Sequence, residues 1–370
     1  AYSGNKNAAK VIHEGLQRLE YRGYDSWGIS VLSNNDIVTF KTIYPLDNKP
    51  NLPSNTEVGI GHTRWATHGG VNHTNAHPHI SKNNVFGIAQ NGIVENYEKL
   101  KKELIKEGFD FKTKTDTEVI LKLIEKELHK EDSMKTAVQN AFKKLEGRNT
   151  IIVLTNSGNL YGIRNGSPLV AGIKENSLFI ASDTLSFADK TNKAVVLDNF
   201  EMITHIDGEI SFYNVNKEKT IEKTFETFDV DKTKINKDGY EHFMLKEIME
   251  QDYTIKNLTQ IKETDLKPLV KRIKESRKVF TIGAGTAGFA AGQVAFYLRE
   301  ITGIDATSLK PNEFYSYKSL VTKDDLFIAF SQSGETADTI EVLGYIKNKG
   351  IKIASLVNMK ESTIPRMSDY

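Results

Sequence analysis

Cysteine is absent from all 370 residues. That excludes a disulfide framework, which suits a chain expected in the cytoplasm, and it removes thiol chemistry. An excess of charge of one sign is also lacking. The 49 Lys and Arg face 48 Asp and Glu, for a formal net charge of +1, so there is no basic footprint for nucleic acid or an anionic membrane surface. No run approaches the ~20 apolar residues of a spanning helix. The opening Ala1-Tyr2-Ser3-Gly4 has neither the basic nor the apolar region of a signal peptide. Internal repeats and low-complexity tracts are missing too. What is present is enough chain for two domains, each able to bury its own core.

To about residue 215 short strands alternate with a few helices. Strands are predicted over 28–32, 58–61, 85–89, 150–155 and 178–181. Helices are predicted over 95–107, 117–129 and 134–145, where residues such as Leu100 and Leu104, or Val119, Ile120 and Leu123, recur at helical spacing. Turns such as Asn156-Ser157-Gly158-Asn159 punctuate hairpins. Many hairpins with few helices predict an α+β sandwich of antiparallel sheets covered by helices. A polar, charged stretch then reads as a domain boundary, which divides the chain into 1–215, a linker over 216–240 and a second domain over 241–370. Helices are expected over 240–258 and 264–276. Next come strand 278–282, helix 286–301, strands 306–309 and 326–330, helix 335–348 and strand 351–357. Strands separated by helices predict a parallel, doubly wound α/β sheet.

Chemistry concentrates in Gly61-His62-Thr63-Arg64-Trp65-Ala66-Thr67-His68-Gly69, Asn75-Ala76-His77-Pro78-His79, Asn91-Gly92 and Thr115-Asp116-Thr117-Glu118. These polar segments lie between apolar strands and helices, so their side chains are expected to converge at one end of a sheet. Arg64 can pair with an α-carboxylate through two parallel hydrogen bonds. Asp116 can accept from an α-ammonium. The Asn91 side-chain amide and the Gly92 N–H can stabilise an oxyanion, with Gly permitting close backbone approach. Together they describe a receptor for a free amino acid whose side-chain amide is to be hydrolysed. Five of the nine His fall between His62 and His79. With no Cys and no acidic ligand nearby, their spacing does not make a metal site, and they are expected to be hydrogen-bonded scaffold.

In the second domain, predicted strand 326–330 runs into Ser331-Gln332-Ser333-Gly334-Glu335-Thr336 and then a helix. Three hydroxyls and a Gly at a helix N-terminus make an anion cradle. The loop Gly283-Ala284-Gly285-Thr286-Ala287-Gly288 fits a dinucleotide pattern. However, the second strand ends Ser308-Leu309-Lys310-Pro311, without the acidic residue that would hold a ribose.

The order Tyr21-Arg22-Gly23-Tyr24-Asp25-Ser26, then 61–69, 75–79, 91–97 and 115–119, resembles the glutaminase domain of the N-terminal-nucleophile amidotransferases, and within that family the branch that aminates fructose 6-phosphate. The resemblance implies a glutaminase domain complete but for its first residues, followed by most of the first of two sugar isomerase (SIS) domains, in an enzyme of amino-sugar biosynthesis that uses glutamine and fructose 6-phosphate and no cofactor or metal. It implies that Arg64, Trp65, Thr67, His68 and Asp116 bind glutamine, with Trp65 in a lid over the ammonia path, and that Asn91 and Gly92 hold the oxyanion. It also implies that Thr286, Ser331, Gln332, Ser333 and Thr336 hold the sugar phosphate, and that the longer protein is a homodimer. The family's nucleophile is an N-terminal Cys, whose own amine serves as base. The isomerase acid and base residues of the family lie in a second SIS domain. The chain is therefore expected to be an inert fragment of an active enzyme. Departures from the family are Gln90, where many members carry His, Trp27 in place of a small residue at the pocket rim, and Ala284 and Ala287 in place of Cys and Ser. The alternatives are another glutamine amidotransferase of this class, such as the phosphoribosyl-pyrophosphate one, or a paralogue that binds glutamine and phosphosugar without catalysis.

Overall fold

Burial with period two builds the first part of the chain. Trp27, Ile29 and Val31 share one face of their strand, Phe86 and Ile88 one face of another, and all five are nearly inaccessible to water. The structure, a computed structural model, describes residues 1–20, 23–131, 133–228, 238–359 and 362–370. Tyr21 and Arg22, and residues 229–237 of the expected linker, lie outside the described residues. The chain divides into two units, Ala1–Lys246 and Glu247–Tyr370.

In chain order the first unit runs β1 (Tyr2–Ser3), α1 (Ala8–Arg18), β2 (Ser26–Ser33), β3 (Asp36–Thr42), β4 (Val58–Arg64), β5 (His79–Ile80), β6 (Phe86–Gly92), α2 (Tyr97–Lys106), α3 (Thr117–Leu128) and α4 (Met134–Phe142). There follow β7 (Asn149–Thr155), β8 (Leu160–Asn165), β9 (Val170–Lys174), β10 (Ser177–Ala181), β11 (Lys193–Val196), β12 (Glu201–Ile206), β13 (Glu209–Asn214), β14 (Lys219–Ile221) and β15 (Glu226–Thr227). These strands form two antiparallel sheets, in the orders β15-β11-β9-β10-β1-β4-β2-β3 and β14-β13-β12-β8-β7-β6-β5. Ile60, Leu178 and Ile180 of the first sheet meet Leu154, Leu160 and Ile203 of the second in a core between them. The outer face of the first sheet buries Ala8, Ala9, Ile12 and Leu16 of α1. The outer face of the second buries α2, α3 and α4. The result is the α+β sandwich read from the sequence, in four layers. Residues 219–221 and 226–227 of the expected linker pair at the edges of these sheets.

Helix α1 escaped the sequence reading, although its apolar residues follow helical spacing and the Asn7 side chain caps it by accepting from Lys10 N–H at 3.0 Å. Trp27 is a correction. It is 2% exposed, its indole N–H donates to the Tyr44 carbonyl at 2.8 Å, and its ring packs between His13 and Phe40. It therefore belongs to the core under α1 and not to a pocket rim.

Helices α5 (Phe243–Met249) and α6 (Gln251–Leu258) replace the single one expected over 240–258. Between them Glu250, at φ −84° and ψ −4°, lies in the bridge region, where the α-helical ladder is not continued. The rest of the second unit is α7 (Glu263–Glu275), β16 (Val279–Ile282), α8 (Thr286–Thr302), β17 (Ala306–Leu309), β18 (Leu326–Ser331), α9 (Ala337–Asn348), β19 (Lys352–Val357) and α10 (Thr363–Met367). Its sheet is wholly parallel, in the order β17-β16-β18-β19. One face is covered by α7 and α8, the other by α9 and α10, a doubly wound α/β arrangement as the sequence predicts. The order reverses between β16 and β18, so the loops that leave these two strands border the crevice where such folds bind ligands.

Candidate functional site

The first unit holds a cavity of about 420 Å³ whose wall includes Ala1, Arg64, Trp65, Thr67, Gln90, Asn91, Gly92, Asp116 and Thr117. The sequence motifs converge there because each lies where a strand ends or a helix begins. Arg64 is the last residue of β4, Asn91 and Gly92 end β6, and Asp116 immediately precedes α3.

Arg64 is 4% exposed. Its guanidinium donates to the carbonyls of His68, of Gly69 at 3.1 Å and of Gly70 at 3.3 Å, so a single loop aims it. Burial lowers its pKa, and the nearby carboxylates of Asp116 and Asp25 oppose that shift. Asp25 also accepts from the Ala66 N–H at 2.7 Å, which fixes the chain just beyond Arg64.

Asp116 occupies the position of a helix cap but makes no capping hydrogen bond. Ordinarily an Asp there would accept from an N–H of the first turn. Here one oxygen, Oδ2, accepts from Val94 N–H at 2.8 Å and from Gln90 Nε2 at 3.4 Å, which leaves the carboxylate on the cavity wall. It is 4% exposed and lies at the positive end of the α3 dipole. Glu118, in the same first turn, accepts from Lys112 N–H at 2.9 Å and Thr113 N–H at 2.6 Å, and so holds the loop that delivers Asp116.

Gly92 has φ +142°, and a Cβ there would lie 1.9 Å from the Arg148 carbonyl oxygen. Only glycine lets β6 turn into the cavity at that point. Trp65 is 59% exposed and meets Tyr24 edge to face, with ring centroids 5.6 Å apart. His68 is not among the residues lining the cavity. It serves the site through its carbonyl, while its ring packs against Tyr97 at 4.8 Å.

Three histidines lie behind the site, with ring centroids 4.5 Å apart for His62 and His77 and 4.7 Å for His77 and His79. His79 bonds Thr115 Oγ1 and His77 bonds Thr117 Oγ1, each at 3.1 Å. Thr117 donates to Gln90 Oε1, and Gln90 Nε2 reaches Asn149 Oδ1 at 2.8 Å. Because the Thr117 hydroxyl is spent on Gln90, its oxygen accepts from His77, which puts the His77 proton on Nε2. No group of acidic residues and histidines able to hold a metal is found among the described residues. Desolvation lowers the pKa of His62 to about 4 and those of His77 and His79 well below the usual value.

These imidazoles are neutral in the fold and take up protons on unfolding below about pH 6.5. The stability they lend is therefore whole above that pH and lost as pH falls toward 4. The expected slope is roughly 1.4 kcal/mol per pH unit for each histidine that stays neutral. Urea unfolding of the first unit at pH 7.5, 6 and 5 measures it, and a midpoint that does not move across this range would refute it.

In the second unit the expected phosphate loop leaves β18 with Ser331 buried, Gln332 exposed and Ser333 and Thr336 half-buried. Ser331 Oγ accepts from Gly334 N–H at 3.0 Å and shares a hydrogen bond with Thr336 Oγ1 at 3.0 Å. Ser333 Oγ accepts from Glu335 N–H at 3.2 Å. Helix α9 begins at Ala337 instead of 335 because Gly334 has φ +65° and the Glu335 carboxylate is drawn to Thr363, whose N–H it accepts at 2.8 Å. Thr286 opens α8 at the end of the adjacent strand, exposed. Ile282 of β16 pairs with Ala329 of β18, so both loops lie at the same edge of the sheet. Ala284 and Ala287 offer no hydroxyl there.

Against known proteins, a glutamine amidotransferase domain matches residues 62–189 and a SIS domain residues 272–370. Over its whole length the chain is 39% identical to a glutamine–fructose-6-phosphate aminotransferase (isomerizing) of Methanococcus maripaludis and 36% identical to one of Clostridium acetobutylicum, of which it covers 63% and 62%. It thus spans a little under two thirds of the length of these curated relatives. Among solved structures, glutamine phosphoribosylpyrophosphate amidotransferase of B. subtilis matches with a TM-score of 0.51, over 96% of this chain and 80% of that one, at 17% identity. That is a likeness of fold alone.

Proposed function

The chain belongs to the family of glutamine–fructose-6-phosphate aminotransferases, and from that premise we propose that it binds glutamine in the cavity of its first unit and a hexose phosphate at the β16/β18 crevice of its second. The longer protein would move the amide nitrogen of glutamine onto fructose 6-phosphate. The observation that carries this reading is the convergence of Arg64, Asp116, Asn91 and Gly92 on one cavity. A cation, an anion and an amide donor on that one wall are the chemical complements of the carboxylate, ammonium and amide of glutamine. In the attack on the amide, Arg64 and Asp116 fix the substrate. Asn91 Nδ2 and the Gly92 N–H receive the charge that develops on the amide oxygen. The nucleophile would be a Cys preceding Ala1, a residue that lines the same cavity.

The hydroxyls of Ser331, Ser333 and Thr336, with the backbone N–H groups that open α9, would receive the sugar phosphate, beside Gln332 and Thr286. Assembly as a homodimer fits the exposed apolar face of α8, where Phe289 and Ile301 are 79% and 76% accessible. A cytoplasmic location fits the absence of Cys.

The test uses a protein extended to the length of its relatives. There Ser333→Ala and Thr336→Ala are expected to raise KM for fructose 6-phosphate about tenfold, the loss of one hydrogen bond to a charged group, with glutamine hydrolysis in the absence of sugar nearly unchanged. Unaltered sugar kinetics in both variants, or NAD binding that depends on Gly285, would remove the second unit from this role.

A further inference from the structure

Asn75 lies outside the cavity wall, yet it is 2% exposed and both polar atoms of its side chain are engaged. Its Nδ2 donates to the Gly70 carbonyl at 2.9 Å, its Oδ1 accepts from Lys114 N–H at 3.1 Å, and its own N–H donates to Asn72 Oδ1 at 2.9 Å. Each arm reaches a different half of the amino-acid receptor. Gly70 O is also an acceptor of the Arg64 guanidinium, at 3.3 Å, and Lys114 stands two residues before Asp116. The loops are moulded to this bridge. Gly69, at φ +74°, sits so close that a Cβ would lie 2.8 Å from Asn75 Nδ2 and 3.0 Å from the Lys114 carbonyl oxygen.

We infer that Asn75 is a positioning residue for glutamine recognition: one side-chain amide ties the loop that aims Arg64 to the loop that presents Asp116, and so sets the separation between the carboxylate and ammonium subsites. This rests on the glutamine reading of the cavity. The chemistry requires an amide, since one arm must donate to a carbonyl and the other must accept from an N–H, and no other small side chain does both at this reach. Freed of the bridge, the 68–70 carbonyls could move with the guanidinium, and binding would have to order both loops again.

The test is calorimetric titration of L-glutamine into the whole chain. Asn75→Ala is expected to weaken binding about tenfold or more, the scale of one buried hydrogen bond. The near-isosteric Asn75→Asp keeps the Lys114 arm but places an acceptor against the Gly70 carbonyl, and is expected to lose at least about fivefold by the same principle. The discriminating readout is coupling. In an Arg64→Lys background, whose amine cannot span three carbonyls, Asn75→Ala should add less than about threefold, because the bridge acts through Arg64. A merely structural asparagine would multiply in full. Glutamine affinity within twofold of the parent in Asn75→Asp, or fully multiplicative losses, would overturn the inference. An Arg64→Ala control that leaves glutamine affinity intact would instead overturn the glutamine reading itself.

Discussion

Restoring the family N-terminus ahead of Ala1, with Cys as its first residue, is expected to make the chain release glutamate from glutamine, and Asn91→Ala in that background to slow turnover by ~10²–10³-fold, the usual loss for one oxyanion donor. Ala1 lines the cavity together with Asn91 and Gly92, so a segment joined to its nitrogen would start from the same wall. The Asn91 side-chain amide has no hydrogen-bond partner among the described residues and remains available for a ligand. Removing it should lower kcat and leave KM for glutamine nearly unchanged, because the oxyanion exists only on the way through the reaction. Glutamine that binds but yields no glutamate in the cysteine-bearing chain would favour the non-catalytic binder.

Glutamine affinity itself should fall by ~2–4 kcal/mol in Arg64→Ala and in Asp116→Ala, since each substitution leaves the opposing charge of a desolvated ligand unpaired. The two losses have different companions. Arg64→Ala also releases the carbonyls of residues 68–70, whereas Asp116→Ala strips Val94 N–H and Gln90 Nε2 of their acceptor. Calorimetry reads both, and unchanged affinity in the pair would exclude the cavity as a glutamine site.

The groups that would meet glutamine were legible because a carboxylate, an ammonium and an oxyanion each call for a specific side-chain type, and Arg64, Asp116 and Asn91-Gly92 supply them in sequence. The groups that hold them were not. Nothing in a sequence distinguishes an Asp that caps α3 from one that, like Asp116, turns away to Val94. Glu118 reads as an ordinary first-turn acid until its oxygens are found on Lys112 and Thr113. The bridge at Asn75 depends on a loop meeting a residue 39 positions away, which no local pattern encodes. Trp27 shows the reverse failure: a comparison of side-chain size placed it at a rim, and only its packing against His13 and Phe40 reveals a core residue. In the second unit the parallel sheet was readable from alternation. The late start of α9 was not, because it follows from a contact between Glu335 and Thr363.

The two residues of β1 sit in the middle of their sheet, between β4 and β10. Tyr2 pairs with Phe179, far along the chain. On a ribosome β1 could therefore pair with β4 early but would gain its second neighbour only once β10, around Phe179, had been made. Contacts so distant in sequence make folding slow and give the early chain no local reward for order. The cavity proposed for amide cleavage, whose wall includes Phe179 and Ile180, would thus stay incomplete until β10 is made, so that a chain synthesised short of that strand could not consume glutamine.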